Sequence, residues 1–156
     1  MGRPTALDRL HERVVRHPFF RAFTWITRVL LFLGFAPSGI KKILDEPFTL
    51  LGPETRVGYF FDALHQTGWY YQSIGVAQVL AGVLLLIPRT SALGALMYFP
   101  IIFNIWAITV SMHFRGTWVI TSLMLLANLY LLCWEYDRLK GVLGWGPFPT
   151  GKKTPG

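Results

Sequence analysis

Five polar residues stand inside, or at the edge of, stretches built otherwise from Leu, Ile, Val, Phe and Gly: Arg28, Gln78, Asn104, Asn128 and Glu135. A carboxamide presents a donor and an acceptor together, and a guanidinium or carboxylate presents charge. Gathered in one place, such groups form a pocket for the polar head of a lipid or a quinone. Dispersed, they join helices, since side-chain hydrogen bonds between membrane helices contribute roughly 0.6–2 kcal/mol each. For the three amides the structural role is the simpler expectation. Arg28 demands more, because a guanidinium in hydrocarbon costs at least about 2.5–3.5 kcal/mol. Glu135 is its expected counter-ion, with Asn128 or Gln78 as neutral partners. Snorkelling of the side chain toward headgroups is the alternative.

The elements that carry these residues are long apolar runs. Residues 19–44, 69–87, 91–112 and 117–134 each approach or exceed the length of about 20 residues that spans a bilayer. Only 15% of the 156 residues are charged and 53% are hydrophobic, too little charge to clothe a water-soluble domain. Arg28 and a long basic lead-in set the first run apart from a cleaved signal peptide. Pro88-Arg89-Thr90 and His113 to Gly116 are the connections after the second and third runs. Loops this short require antiparallel neighbours, so the expected fold is an all-α, four-transmembrane-helix antiparallel bundle over residues 19–140.

Within that bundle Gln78, Asn104 and Asn128 fall near the midplane at about 1.5 Å per residue. Thr121, Asn128 and Glu135 are spaced by sevens and share a face. Gly75 and Gly82 on the second span, with Ala92, Gly94 and Ala95 opening the third, form the candidate helix-packing or partner face, because small residues allow backbones to approach. Phe99, Phe103 and Trp106 are expected to fill the centre and leave no drug-sized cavity.

Two further helices are expected to lie on the membrane. In residues 1–18, Thr5 and Asp8 resemble a capping box, Leu7, Leu10 and Val14 share an apolar face, and Arg9, Arg13 and Arg16 share a basic one. In the first long connection Gly52-Pro53 suits a helix start, Val57, Phe60, Phe61 and Leu64 follow at helical spacing, and Gly68 suits its end. This segment is either a lid on the bundle or, preferably, an interfacial helix completing a loop. Residues 141–156, rich in Gly and Pro, read as an irregular arm. Trp69, Tyr70, Tyr71 and Trp118 are expected at one membrane interface, and Trp25, Trp134 and Tyr136 at the other.

Missing chemistry narrows the function. Cys133 is the sole cysteine, which excludes a disulfide scaffold, a four-thiolate zinc site or a cysteine-held cluster within the chain. None of the four His lies within a span, so bis-histidine haem ligation is not expected. No phosphate loop, nucleophile elbow or His-Glu metal motif occurs, and no metal site is expected. The net charge of +7 follows from membrane topology and attraction to anionic lipid, with no nucleic-acid partner required.

The segments RVLLFLGFAPSGIKKIL, IGVAQVLAGVLLLIPRTSALGAL and TSLMLLANLYLLCWEYDRLK resemble the DoxX-like family of small four-helix membrane proteins. The likeness lies in Arg28, the Ser38-Gly39-Ile40-Lys41 turn, the helix from Ile74-Gly75 to Gly82-Val83-Leu84, and Pro88, and spans about Thr24 to Lys140. The resemblance implies a four-span fold and an association with redox systems, including thiosulfate oxidation at the quinone level. The expectation is therefore a non-catalytic accessory or assembly subunit of a larger redox membrane complex, surrounded by lipid and other integral subunits, with no cofactor bound by this chain alone. The alternative is a small enzyme or carrier handling a quinone or lipid in the midplane pocket.

Orientation follows from the basic residues. Arg3, Arg9, Arg13, Arg16, Arg21, Arg89, Arg138, Lys140, Lys152 and Lys153 fall on one side, against Lys41, Lys42, Arg56 and Arg115 on the other. Ten against four puts both termini in the cytoplasm and residues 45–68 outside the cytoplasmic membrane. A reporter active only in the cytoplasm should function when fused after residue 156 and fail when placed in the 45–68 connection. The opposite pattern would invert the topology.

Overall fold

The computed structural model describes residues 18–136 together with 138 and 139, and within them the regular elements are helices alone. They are α1 (Pro18–Ile43), α2 (Arg56–His65), α3 (Trp69–Leu86), α4 (Ser91–Ser111) and α5 (Thr117–Trp134). Four of these, α1, α3, α4 and α5, are long and apolar enough to cross a membrane, so the chain is a multi-pass membrane protein. The helix expected before Pro18 and the arm expected over residues 141–156 lie outside the described residues.

Local chemistry sets the helix ends. Pro18 opens α1, where its missing N–H costs nothing. The Thr55 hydroxyl accepts the Gly58 N–H at 3.0 Å and caps α2, three residues beyond the expected Gly52-Pro53 start. Gly68 and Gly116 take positive φ (62° and 79°) just before α3 and α5, a conformation available to glycine without a Cβ clash.

Packing is tightest between α1 and α3. A Cβ on Gly75 would lie 2.6 Å from the Gly39 carbonyl oxygen, and one on Gly39 would lie 2.9 Å from that of Gly75. The two backbones therefore touch. α4 packs against both α3 and α5, whereas α1 and α5 meet over a smaller area. A Cβ on Gly94 would meet the Leu85 backbone nitrogen at 2.6 Å, and one on Gly82 would meet the Phe32 ring at 3.0 Å.

The core consists of Leu31, Phe35, Ala81, Leu85, Ala95, Tyr98, Ile102 and Leu131. Phe35 and Tyr98 stack with ring centroids 3.7 Å apart, and the Tyr98 hydroxyl donates to the Leu31 carbonyl at 3.1 Å. This corrects the expected face of α4. Phe103 is 47% exposed, and Trp106 turns to donate to Ser122 Oγ at 3.0 Å. The reason is backbone proximity: Gly94 and Ala95 must face α3 and the core, and the bulky side chains are carried outward with that rotation. Of the aromatic residues that open α3, Tyr71 is fully buried and donates to the Glu46 carbonyl at 2.8 Å, while Trp69 and Tyr70 are exposed.

In a membrane, helices gain little from the hydrophobic effect and associate through close packing and hydrogen bonds. Gly75→Val should accordingly destabilise the protein by about 1–3 kcal/mol, the usual penalty of an overpacked contact. Val76→Ala, on the exposed side of the same helix, should change stability by less than about 0.5 kcal/mol. Thermal unfolding in detergent distinguishes the two, and equal effects would remove the Gly39–Gly75 contact from the account.

Candidate functional site

At one end of the bundle α1, the start of α4 and the segment after α5 converge on a carboxylate. Arg28 Nη2 donates to Glu135 Oε1 at 2.5 Å, and Ser91 Oγ donates to the same oxygen at 2.7 Å. Arg138 Nη1 lies 3.1 Å from Glu135 Oε2 and also donates to the Pro88 carbonyl. Arg28 and Glu135 are buried. The counter-ion expected from depth is in place, but the neutral partner is Ser91 rather than Asn128 or Gln78. The cluster sets two guanidiniums on one carboxylate, a composition that holds helices together.

The remaining members of the expected polar set separate. Asn128 Nδ2 donates to the Ala95 carbonyl at 3.3 Å, joining α5 to α4. Asn104 Nδ2 donates to the Pro100 carbonyl of its own helix at 2.7 Å and stays exposed. Gln78 is fully buried, yet neither its amide nitrogen nor its amide oxygen has a partner among the described residues. A buried amide with both ends unsatisfied is rare, since each missing bond costs about 1–3 kcal/mol.

Gln78 belongs to the wall of a cavity of about 480 Å³. The cavity contradicts the expectation of a filled interior, and the path of α1 beside α5 explains it. The two helices meet where Thr24 bonds Tyr130 at 2.9 Å, where Arg28 meets Glu135, and where Gly34 lies against Met124. Beyond Gly34, α1 presents Ser38 and Lys42, and α5 presents Thr117, Ile120 and Thr121, to the cavity rather than to each other. From α4, Asn104 and several isoleucines complete a largely apolar wall, and Thr109 and Thr121 spend their hydroxyls on a 2.8 Å bond to one another. Of the four polar residues expected around a pocket, Gln78 and Asn104 line it, and Arg28 and Asn128 do not.

Phe60, Phe61 and Leu64 of α2 border the same cavity. The amphipathic segment of the long connection thus has the placement of a lid. It is tethered by His65 Nε2 donating to the Asp45 carbonyl at 2.9 Å, and by Phe61 against Phe48 with ring centroids 4.6 Å apart.

Lys42, Ser38, Ser91 and Arg138 were absent from the expected set. Ser38 and Lys42 sit one helical turn apart from each other, and Arg138 follows Glu135 by three residues, so helical spacing carried a signal for both pairs. Ser91 carried none, because its role depends on where the α3–α4 turn meets α1. The five small residues all pack within the chain: Gly75, Gly82 and Gly94 as described, with Ala92 and Ala95 buried. Among the described residues no cluster of His, Cys, Asp or Glu could hold a metal ion.

The chain is 32% identical over 132 residues to the uncharacterized protein YwoB of Bacillus subtilis (strain 168), covering 79% of this chain and 83% of that one. No family model matches the chain. No solved structure matches it either.

The carboxylate cluster yields an asymmetric expectation. Glu135→Gln strands the buried Arg28 guanidinium and should cost about 3–5 kcal/mol, whereas Arg28→Leu leaves Glu135 paired with Arg138 and should cost less. In a double-mutant cycle the pair should couple by about 0.5–3 kcal/mol. Additive effects in unfolding measurements would return Arg28 to simple snorkelling.

Proposed function

The chain belongs to the family of Bacillus subtilis YwoB, and we propose that it is a membrane-embedded binder or carrier of one lipophilic small molecule, of the quinone or lipid class. The observation that carries this reading is the unsatisfied amide of Gln78 in the wall of a largely apolar cavity. A volume of about 480 Å³ lies within the range of small-molecule sites, roughly 300–1,000 Å³. Apolar walls with few polar groups are also what such sites present.

The residues suit such a ligand in a simple way. Isoleucines of α4 and α5 and the phenyl rings of α2 would enclose an alkyl chain or ring. Gln78 would exchange hydrogen bonds with one carbonyl or hydroxyl of the head, regaining the bonds it lacks. α2 would close over the ligand and keep it from water. The resemblance to the DoxX-like family supports a redox setting, in which a bound quinone supplies two-electron, two-proton chemistry. The chain's own part is to bind and orient. With antiparallel spans and both termini cytoplasmic, as the basic residues favour, the cavity occupies the outer half of the membrane.

A second reading has its own support. The row Ile120, Leu123 and Leu126 on α5 is exposed, and α5 is the least enclosed of the four long helices. A non-catalytic accessory or assembly subunit of a redox complex would seat a partner helix there and present its ligand to that partner.

A decyl-substituted quinone added to the purified protein should quench tryptophan fluorescence saturably. Ile105→Trp, which fills the cavity, should abolish the effect, and Gln78→Leu should weaken it by about tenfold, the loss of one buried hydrogen bond. Binding indifferent to both changes would leave the cavity without a ligand role.

A further inference from the structure

Lys42 is 4% exposed at the end of α1 and forms part of the wall of the same cavity. Its ammonium donates to Ser38 Oγ at 2.7 Å and to the Ser38 carbonyl at 3.3 Å. The ammonium also lies 4.7 Å from the Phe48 ring centroid and 5.8 Å from that of Tyr71. These neutral groups solvate the ammonium without cancelling its charge. Among the described residues it forms no ion pair: Asp45, three residues on, is turned to His65, with Oδ1 3.3 Å from Nε2, and Glu46 is exposed. The contrast with Arg28 is direct. There a buried cation has its carboxylate, while here the buried cation borders an apolar cavity and has none. A charge removed from water is tolerated when paired, and Lys42, without a carboxylate among the described residues, is part of the cavity wall.

From this arrangement we infer that the ligand is a single-chain amphiphile with an anionic head, a carboxylate or a phosphate, whose charge is met by Lys42 and whose chain fills the isoleucine-lined space. The inference rests on the cavity being a ligand site and adds the charge of the head. A space of about 480 Å³ suits one drug-sized molecule and therefore one acyl chain rather than two. Lys42 gives the pocket its charge preference, and Gln78 provides the neutral hydrogen bonds any polar head would use.

Equilibrium binding of radiolabelled palmitate, 1-palmitoyl lysophosphatidate and hexadecanol to the full chain in maltoside micelles, at about pH 7 where the phosphate is ionised, tests this. At least one acid should bind about tenfold or more tightly than the alcohol. Tighter palmitate assigns a carboxylate head, and tighter lysophosphatidate a phosphate. Lys42→Gln should erase the preference by weakening the acids while leaving hexadecanol within about twofold, and Lys42→Arg should retain it. Equal binding of alcohol and acids to the unaltered protein overturns the charge inference and leaves the cavity reading standing. That comparison decides the matter even where Lys42→Gln fails to fold. A preference that survives in folded Lys42→Gln also overturns the inference. Should none of the three bind, the charge inference falls, and the quinone titration alone decides the cavity reading.

Discussion

Glu135 accepts from Arg28, Ser91 and Arg138, and this one carboxylate gathers α1, the start of α4 and the segment after α5 at a single end of the bundle. Hydrocarbon forces that arrangement, because a lone guanidinium or carboxylate at this depth costs several kcal/mol and a paired one far less. The pairing fixes α1 against α5 there, and Thr24 and Phe23 meeting Tyr130 extend the contact. α3 reaches α1 through the Gly39–Gly75 crossing, nearer the other end of α1. Between these two fixed contacts α1 has little freedom, and the cavity lies where α5 does not follow it.

The two ends of the bundle treat polarity in opposite ways. Around Glu135 nearly every charged atom has a partner, Arg28 Nε being the exception. Around the cavity, among the described residues, Gln78 has no hydrogen bond and Lys42 has no counter-ion. A chain under pressure only to fold would replace both with Leu or Ile at a gain in stability. Buried polar groups left wanting, beside a space of ligand size, are the pattern expected where stability is given up for binding. α2 covers one side of this space, since Phe60, Phe61 and Leu64 border the cavity and His65 donates to the Asp45 carbonyl.

Much of this was legible from residues alone. The limits of the four long helices follow the apolar runs to within a residue or so, because length and composition in a bilayer leave few alternatives. Arg28 with Glu135 was legible too, since a charge at that depth needs a partner and few exist. The rotation of α4 was not. Phe99, Phe103 and Trp106 are better core residues by volume than Ala92 and Ala95, and only the contact of Gly94 with α3 reverses the order. The cavity was illegible for the same reason, as it depends on the relative courses of two helices far apart in the chain, Pro18–Ile43 and Thr117–Trp134, and not on a motif. Lys42 entered the sequence reading only as a charge that sets orientation, because its burial comes from Phe48 and Tyr71 folding over it.

The central claim is that the cavity holds a lipophilic molecule in the working protein. Native mass spectrometry of the full chain, released gently from membranes and compared with Ile105→Trp, measures this without presuming the ligand. The account predicts one stoichiometric adduct of low mass on the unaltered protein, lost from the filled variant. An unaltered protein that flies bare, or an adduct that survives filling of the cavity, would contradict it.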